Sequence, residues 1–356
     1  MLRYLTAGES HGQALVAILE GMPANVPILA EDINTDLARR QQGYGRGGRM
    51  RIETDKANIL SGIRFGKTLG SPIALVIPNK DWENWQIKMS VKPISDEEIE
   101  KVTTLRPGHA DFAGTIKYHQ DDIRNILERS SARETAARVA VGAIARKLLA
   151  LFNIEITSKI VEVGGQPVDE HKSVIDAAKE AGDSVGGIFE IKAVNVPVGL
   201  GSHVHYDRKL DAALTTALMG IQAIKGVEIG LGFASAKLPG SQVHDAFYVD
   251  KDKEVIRKTG NAGGIEGGMS NGQPIILRAA MKPIPTMMNP LPSVDMDSKE
   301  ETKAHVERAD VCAIEAASVV GEAVIAFELA KFFLEKFGGD SLEEVRAHFE
   351  ATQQLQ

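Results

Sequence analysis

The chain has 356 residues, 43% apolar and 25% charged, proportions that exclude a disordered, fibrous or disulfide-stapled protein. Acidic side chains outnumber basic ones 48 to 41 for a formal charge of −7, which argues against a whole surface built for nucleic acid. The single cysteine, Cys312, cannot close an internal disulfide, and this predicts a reducing, cytoplasmic setting. No apolar run approaches the roughly 18 residues of a membrane helix, and MLRYLTAGESHG lacks the apolar stretch of a signal peptide.

Glycine is in excess: 34 of 356 residues, about 9.6% against roughly 7% in average proteins. Because glycine allows positive φ and close backbone approach, its placement is informative.

In chain order, a short apolar start (2–6) leads into GESHG and the β-prone run ALVAILEG. EDINTDLARRQQ (31–42) reads as a helix with a cationic C-terminal end, running into the glycine-rich loop GYGRGGRMRIE. Residues 58–78 predict two strands of a hairpin, and DWENWQIKMSVKPISDEE, with Trp82 and Trp85, an irregular exposed segment. A helix begins within ERSSARETAARVAVGAIARKLLALF, where Ser131 and Glu134 have capping-box spacing and Val139, Ile144, Leu148 and Phe152 give a buried face. A second long helix is expected from about Asp310 to the stop at Gly338-Gly339. Both helices are Ala-rich and apolar on more than one side, which places them in the interior. FEIKAVNVPVG, VEIGLGF and QPIILRAAMKPI supply strands between them. With no Pro/Ser-rich linker and no internal repeat, the expectation is one large α+β domain over 1–356.

Three glycine patterns fail on context. GYGRGG (43–48) fits G-x-G-x-x-G but follows a helix, not a strand. GIRFGKT has Ser61 where a phosphate-binding loop needs its first glycine. GESHG matches G-x-S-x-G, yet only seven residues precede it, too few for the strands and oxyanion loop of a hydrolase.

What remains at 8–12 is a polar cluster of Glu9, Ser10 and His11 between glycines. His11 is either a general acid or a histidine satisfied by backbone in a tight turn. RPGHAD (106–111) fixes a turn that sets Arg106 and Asp111 beside His109; a plain surface turn is the alternative. His203 and His205 share a strand face but lack a carboxylate or thiol partner, so no metal site is assigned.

Arginine gives a stronger signal. Arg39, Arg40, Arg46, Arg49 and Arg51 crowd one glycine-rich segment, and Arg129 and Arg133 bracket Ser130-Ser131 at what reads as a helix start, a favourable place for phosphate. GNAGGIEGGMSNG and Lys282-Pro283-Ile284-Pro285-Thr286 offer a glycine-lined surface for a planar or phosphorylated ligand. Asp310, following Arg308, is either a helix N-cap or a further wall of one anion site.

With these residues in view, the chain resembles the chorismate synthase family over essentially its full length. GESHGQALVAILEGMP (8–23), ERSSARETAARVAVGAIA (128–145) and RADVCAIEAASVVGEA (308–323) look like its three signatures, and RPGHAD and KPIPT also match. Ala309 departs from the Ser or His usual in the third. The resemblance implies a βαβα sandwich with helices between two antiparallel sheets, a homotetramer, and a lyase that forms chorismate by anti-1,4-elimination of phosphate from 5-enolpyruvylshikimate 3-phosphate. It also implies reduced FMN without net redox change, and either a separate flavin reductase or, in a bifunctional member, NADPH.

Carried over by position, His11 resembles the proton donor to departing phosphate, His109 the histidine at the flavin N1/O2 edge, and Asp310 the carboxylate near flavin N5. Ser10, Arg49, Arg106, Arg133 and Arg308 resemble the substrate cage. Arg129, Ser130, Ser131, Gln222, Ala223, Gly267, Lys282, Pro283, Ile284, Pro285, Thr286 and Arg308 match FMN-binding positions, and Arg40 and Arg46 match positions given to NADPH. Two other readings stay open: a flavin-binding protein without lyase activity, and an RNA-binding protein acting through the basic 39–51 loop.

Overall fold

In the computed structural model, which describes residues 1–47, 54–94, 99–306 and 310–353, two antiparallel sheets enclose a layer of helices. The first sheet comes from the N-terminal region. β1 (Arg3–Ala7) and β2 (Ala14–Glu20) flank GESHG and pair in register from Arg3↔Glu20 to Ala7↔Val16. The turn demands Gly8: at φ +104, a Cβ there would sit 2.3 Å from the Ala14 carbonyl oxygen. After α1 (Ala30–Gln41), β3 (Asn58–Ile59) and β6 (Ile73–Pro78) complete the order β1-β2-β6-β3. The expected 58–78 hairpin therefore exists as β3 against β6, with a second small hairpin, β4 (Ile63–Arg64) and β5 (Lys67–Thr68), inserted between them.

Next come α2 (Asp111–Tyr118), α3 (Arg124–Ser130) and α4 (Thr135–Ala150). The capping box expected at Ser131/Glu134 does not form: Ser131 Oγ accepts from Arg133 N at 3.3 Å, but Glu134 turns to Arg138 and Gln222. Arg129 and Ser130 close α3 rather than open a helix, because the chain bends through a short 3-10 turn (Ala132–Glu134) before α4.

The second sheet has the order β10-β15-β9-β7-β8. Its strands are β7 (Glu155–Val163), β8 (Gln166–Pro167), β9 (Gly187–Val194), β10 (Ile224–Ile229) and β15 (Ile275–Met281). α5 (His171–Glu180) and α6 (Leu210–Met219) lie between these strands in sequence. A single-turn helix α7 (Gly240–Val243) and the hairpins β11–β12 (Phe247–Val249, Val255–Arg257) and β13–β14 (Ile265–Glu266, Met269–Ser270) precede β15. The hairpin β16–β17 (Pro292–Val294, Glu301–Lys303) follows it.

α8 (Ile314–Phe337) and α9 (Leu342–Gln353) end the fold. α8 begins four residues after Asp310, so Asp310 is not its N-cap, and it stops at Gly338 as expected. Both Ala-rich helices are interior: α4 packs on β2 and β6, α8 on β7 and β9, and each on the other. Their closeness depends on Gly142, where a Cβ would lie 2.5 Å from the Ala323 carbonyl oxygen. This is the α+β class expected from the sequence, with the helices between two antiparallel sheets that the family resemblance implied. Between α1, α4 and α8 the core holds a charged cluster, in which Glu322, 2% exposed, meets Arg39 and Arg146, and both arginines reach Asp36. Among the described residues no helix is long and apolar enough to cross a membrane.

Candidate active site

The turn between β1 and β2, the α3–α4 junction, the start of α2, the 43–47 loop, the approach to α8 and the ends of β10 and β15 converge on one cleft of about 690 Å³. That is within the roughly 300–1,000 Å³ typical of small-molecule sites.

Ser10 and His11 enter the cleft from the β1–β2 turn, pinned by a single residue of α3. Glu128 accepts Ser10 N at its carbonyl (2.9 Å), His11 N at Oε2 (2.8 Å) and His11 Nδ1 at Oε1 (2.9 Å). Burial opposes ionisation of Glu128. The hydrogen bonds and charge of His11, with Arg124 beside it, outweigh that penalty and hold its carboxyl below the usual range. The His11 ring stacks on Trp85 with centroids 3.9 Å apart. The segment expected to be simply exposed thus contributes a half-buried indole, held by Trp85 Nε1 donating to Asp81 at 3.0 Å.

His109 faces the same cleft from the turn before α2, where Gly108 takes φ +79. Its Nδ1 lies 2.5 Å from Asp111 Oδ1 and 3.1 Å from Arg106 Nη2. Asp111 is fully buried. Burial disfavours its charge, but hydrogen bonds from His109 and Arg106 prevail and bring its pKa to about 2. An ionised carboxylate can only accept, so Nδ1 carries the proton and the Arg106 approach is a contact, not a second hydrogen bond. Arg106 itself grips Asp111 through Nε and Nη2 at 2.9 and 3.1 Å.

Cationic groups line the remaining wall. Arg40, 4% exposed, donates to Thr135 Oγ1 and the Ala132 carbonyl, each at 3.0 Å. Its Nη1 has no hydrogen-bond partner and sits 3.6 Å from Asp55. Burial lowers the Arg40 pKa to about 10, still a full cation at neutral pH. Arg46 pairs with Asp310 at 3.1 Å, and Asp310 also accepts Gly47 N at 2.5 Å. Together with Val311 N donating to the Gly45 carbonyl (2.9 Å), these contacts tie the 43–47 loop to the entry of α8. Lys282 donates to the Gly108 carbonyl at 2.5 Å.

An apolar floor of Ile221, Met281, Ile284, Pro285 and Val320 adjoins Gln222, Ala223 and Thr286. Ala223 is held at φ +67, the kind of strained backbone that gathers at ligand sites. Gln222 Nε2 donates to Glu134 at 2.7 Å, whereas its buried Oε1 has no hydrogen-bond partner.

The cleft thus brings together Ser10, His11, Arg40, Arg46, Arg106, His109, Ser130, Ser131, Gln222, Ala223, Lys282, Ile284, Pro285, Thr286 and Asp310. Other expected residues lie elsewhere. Arg133 sits behind the wall, donating to Asn79 (2.9 Å) and Asp55 (2.7 Å). Arg129 braces the GESHG turn through the Thr6 and Gly8 carbonyls. Gly267 is at the β13–β14 turn, and Pro283 is exposed next to the cleft. Arg49, Arg51, Arg308 and Ala309 lie outside the described residues.

Arg39 and Arg40 are also lost to the RNA reading, since Arg39 is bound to Glu322 and Asp36 and Arg40 is buried. His205 pairs with Asp207, and no group of three metal-ligand side chains occurs among the described residues. Sequence reasoning gave no role to Glu128 or Trp85. Glu128 heads the ERSSAR run, but a pairing across 117 positions leaves no local signature.

The chain matches the family model described as chorismate synthase over residues 2–334. It is 57% identical to a chorismate synthase of Pelobacter propionicus over 98% of both chains. Its identity to one from Thermoanaerobacter pseudethanolicus is 58%, with 98% coverage of both. A crystal structure of chorismate synthase superposes with a TM-score of 0.80 at 46% identity, covering 99% of this chain and 97% of that one.

Proposed function

The chain belongs to the chorismate synthase family, lyases of the shikimate pathway, and from that premise we propose that the cleft binds reduced FMN beside 5-enolpyruvylshikimate 3-phosphate and eliminates phosphate. The observation that carries this reading is the convergence of two histidines, each held at Nδ1 by an ionised carboxylate, on one arginine-lined cleft. The residues present fit a flavin. An apolar floor suits a flat ring, the unpartnered Gln222 Oε1 suits a ring N–H, and Arg40 Nη1 suits an anionic group. Reduced FMN supplies transient electron density to a substrate whose C6 hydrogen is not acidic and whose C–O bond is allylic.

The protein's own work is to bind two anions, exclude water and carry protons. Arg40, Arg46 and Lys282 set a positive field around the cleft, while Arg106 is oriented by Asp111. His11, with Nδ1 engaged, has Nε2 to give a proton to the departing phosphate. His109, built the same way, presents Nε2 to the flavin. Asp310, fixed by Arg46 and Gly47 N, is placed to relay a proton on the α8 side. The reading includes a homotetrameric assembly, with FMN reduced either by a separate flavin reductase or, in a bifunctional chain, by NADPH.

The test is anaerobic phosphate release with chemically reduced FMN. Wild-type protein is expected to release phosphate, and none released would end the lyase reading for this cleft. His11→Ala and His109→Ala are each expected to lose turnover by about 10²–10⁴-fold while still binding oxidised FMN. Wild-type rates in either variant would remove the role given to that histidine.

A further inference from the structure

We infer that Glu128 is a positioning residue for proton transfer by His11, fixing which ring nitrogen carries the mobile proton and where it points. The inference rests on the reading of His11 as the proton donor. Glu128 is 2% exposed and comes from α3, 117 residues away from His11. It receives three hydrogen bonds from the β1–β2 turn: Ser10 N, His11 N and His11 Nδ1. Backbone and ring of His11 are therefore fixed by one side chain.

Both carboxylate oxygens are in use. Oε2 holds His11 N at 2.8 Å, while Oε1 takes Nδ1 at 2.9 Å and Arg124 Nη1 at 3.1 Å. An ionised carboxylate only accepts, so Nδ1 keeps its hydrogen in every state of the ring and Nε2 alone exchanges one. When the ring is cationic, its charge faces a buried anion rather than the positive cleft wall. Trp85 closes the arrangement. It stacks on the imidazole at an interplanar angle of 23°, with the Arg124 guanidinium 4.9 Å from its centroid. Arg124 thus touches both the carboxylate and the indole that hold His11.

Glu128→Gln separates positioning from bulk packing, because it preserves shape and removes one acceptor. If the amide oxygen stays on His11 N, the NH2 group faces Nδ1, which must then accept, and the hydrogen moves to Nε2 in the neutral ring. The expected result, with enolpyruvylshikimate phosphate and chemically reduced FMN under anaerobic conditions, is a fall in kcat of about 10²–10⁴-fold. KM and the Kd for oxidised FMN should change by less than about threefold.

A second measurement needs no variant. 15N NMR of ring-labelled wild-type protein should show the neutral His11 side chain as the Nδ1–H tautomer. Glu128→Gln turning over within about threefold of wild type, or an Nε2–H tautomer in the wild type, would overturn the inference. His11→Ala in the same assay tells the two failures apart. Full activity there removes the proton-donor reading itself, whereas loss in His11→Ala with full activity in Glu128→Gln removes only the role of Glu128.

Discussion

Replacing Asp111 with Asn tests whether the His109–Arg106 cluster is held together by charge. Asp111 has an ordinary pKa of 3.8 and reaches about 2 in the fold, a drop of roughly two units at about 1.4 kcal/mol each, or ~2.4 kcal/mol of stability. The folded-state pKa is the lower one, so this contribution is complete above pH 3.8 and is lost as pH falls through 2. By linkage it is roughly halved, to ~1.3 kcal/mol, at pH 3. The amide adds a pH-independent loss of about 1–3 kcal/mol, because one of its two ends donates toward the buried Arg106. Urea unfolding of both proteins from pH 7 to pH 3 should therefore show Asp111→Asn less stable by ~3–5 kcal/mol at pH 7, with the gap closing by about 1 kcal/mol at pH 3. Equal midpoints at pH 7, or a gap that widens on acidification, would refute the argument.

Two further outcomes follow from the packing. Gly142→Ala should lower the urea midpoint even though alanine gains up to about 1 kcal/mol of helix propensity. The new Cβ would meet the Ala323 Cβ and carbonyl oxygen, each at 2.5 Å, and overpacking against backbone costs about 1–3 kcal/mol. An unchanged or raised midpoint would mean α4 and α8 can separate at no cost. Trp85→Ala should reduce kcat by about 2–10-fold, the equivalent of losing one aromatic stacking contact, with KM nearly unchanged. Trp85→Phe should recover most of the loss, and full activity in Trp85→Ala would mean the indole does not hold His11.

The sequence revealed what depends on local pattern. Apolar residues on more than one side of α4 and α8 placed both in the interior, and the glycines of GESHG and RPGHAD marked turns that carry histidine. The pair His109 and Asp111, two positions apart, was legible as a cluster because the turn itself holds both. What stayed hidden depends on chain crossing. Glu128 reaches His11 only because α3 packs against the β1–β2 turn. The α3–α4 junction departs from the capping box its spacing predicts for a related reason: Gln222 and Arg138 compete for the Glu134 carboxylate and win.

The arginine density carried two signals that composition cannot separate. Arg40, Arg46 and Arg106 do line the cleft. Arg39, one residue from Arg40, points the other way on α1 and joins Asp36, Arg146 and Glu322 in the core. Arg133 and Arg40 share the fully buried Asp55 carboxylate, so Arg133 braces the cleft wall from behind. A cation buried at a wall needs a counter-ion on its protein side before it can face a ligand on the other. Asp55 supplies that counter-charge to Arg40 and Asp111 to Arg106, whereas Asp310, the partner of Arg46, lines the cleft itself. Each of these guanidinium groups is thus matched by a carboxylate close by, so the wall holds its cations without an unbalanced buried charge.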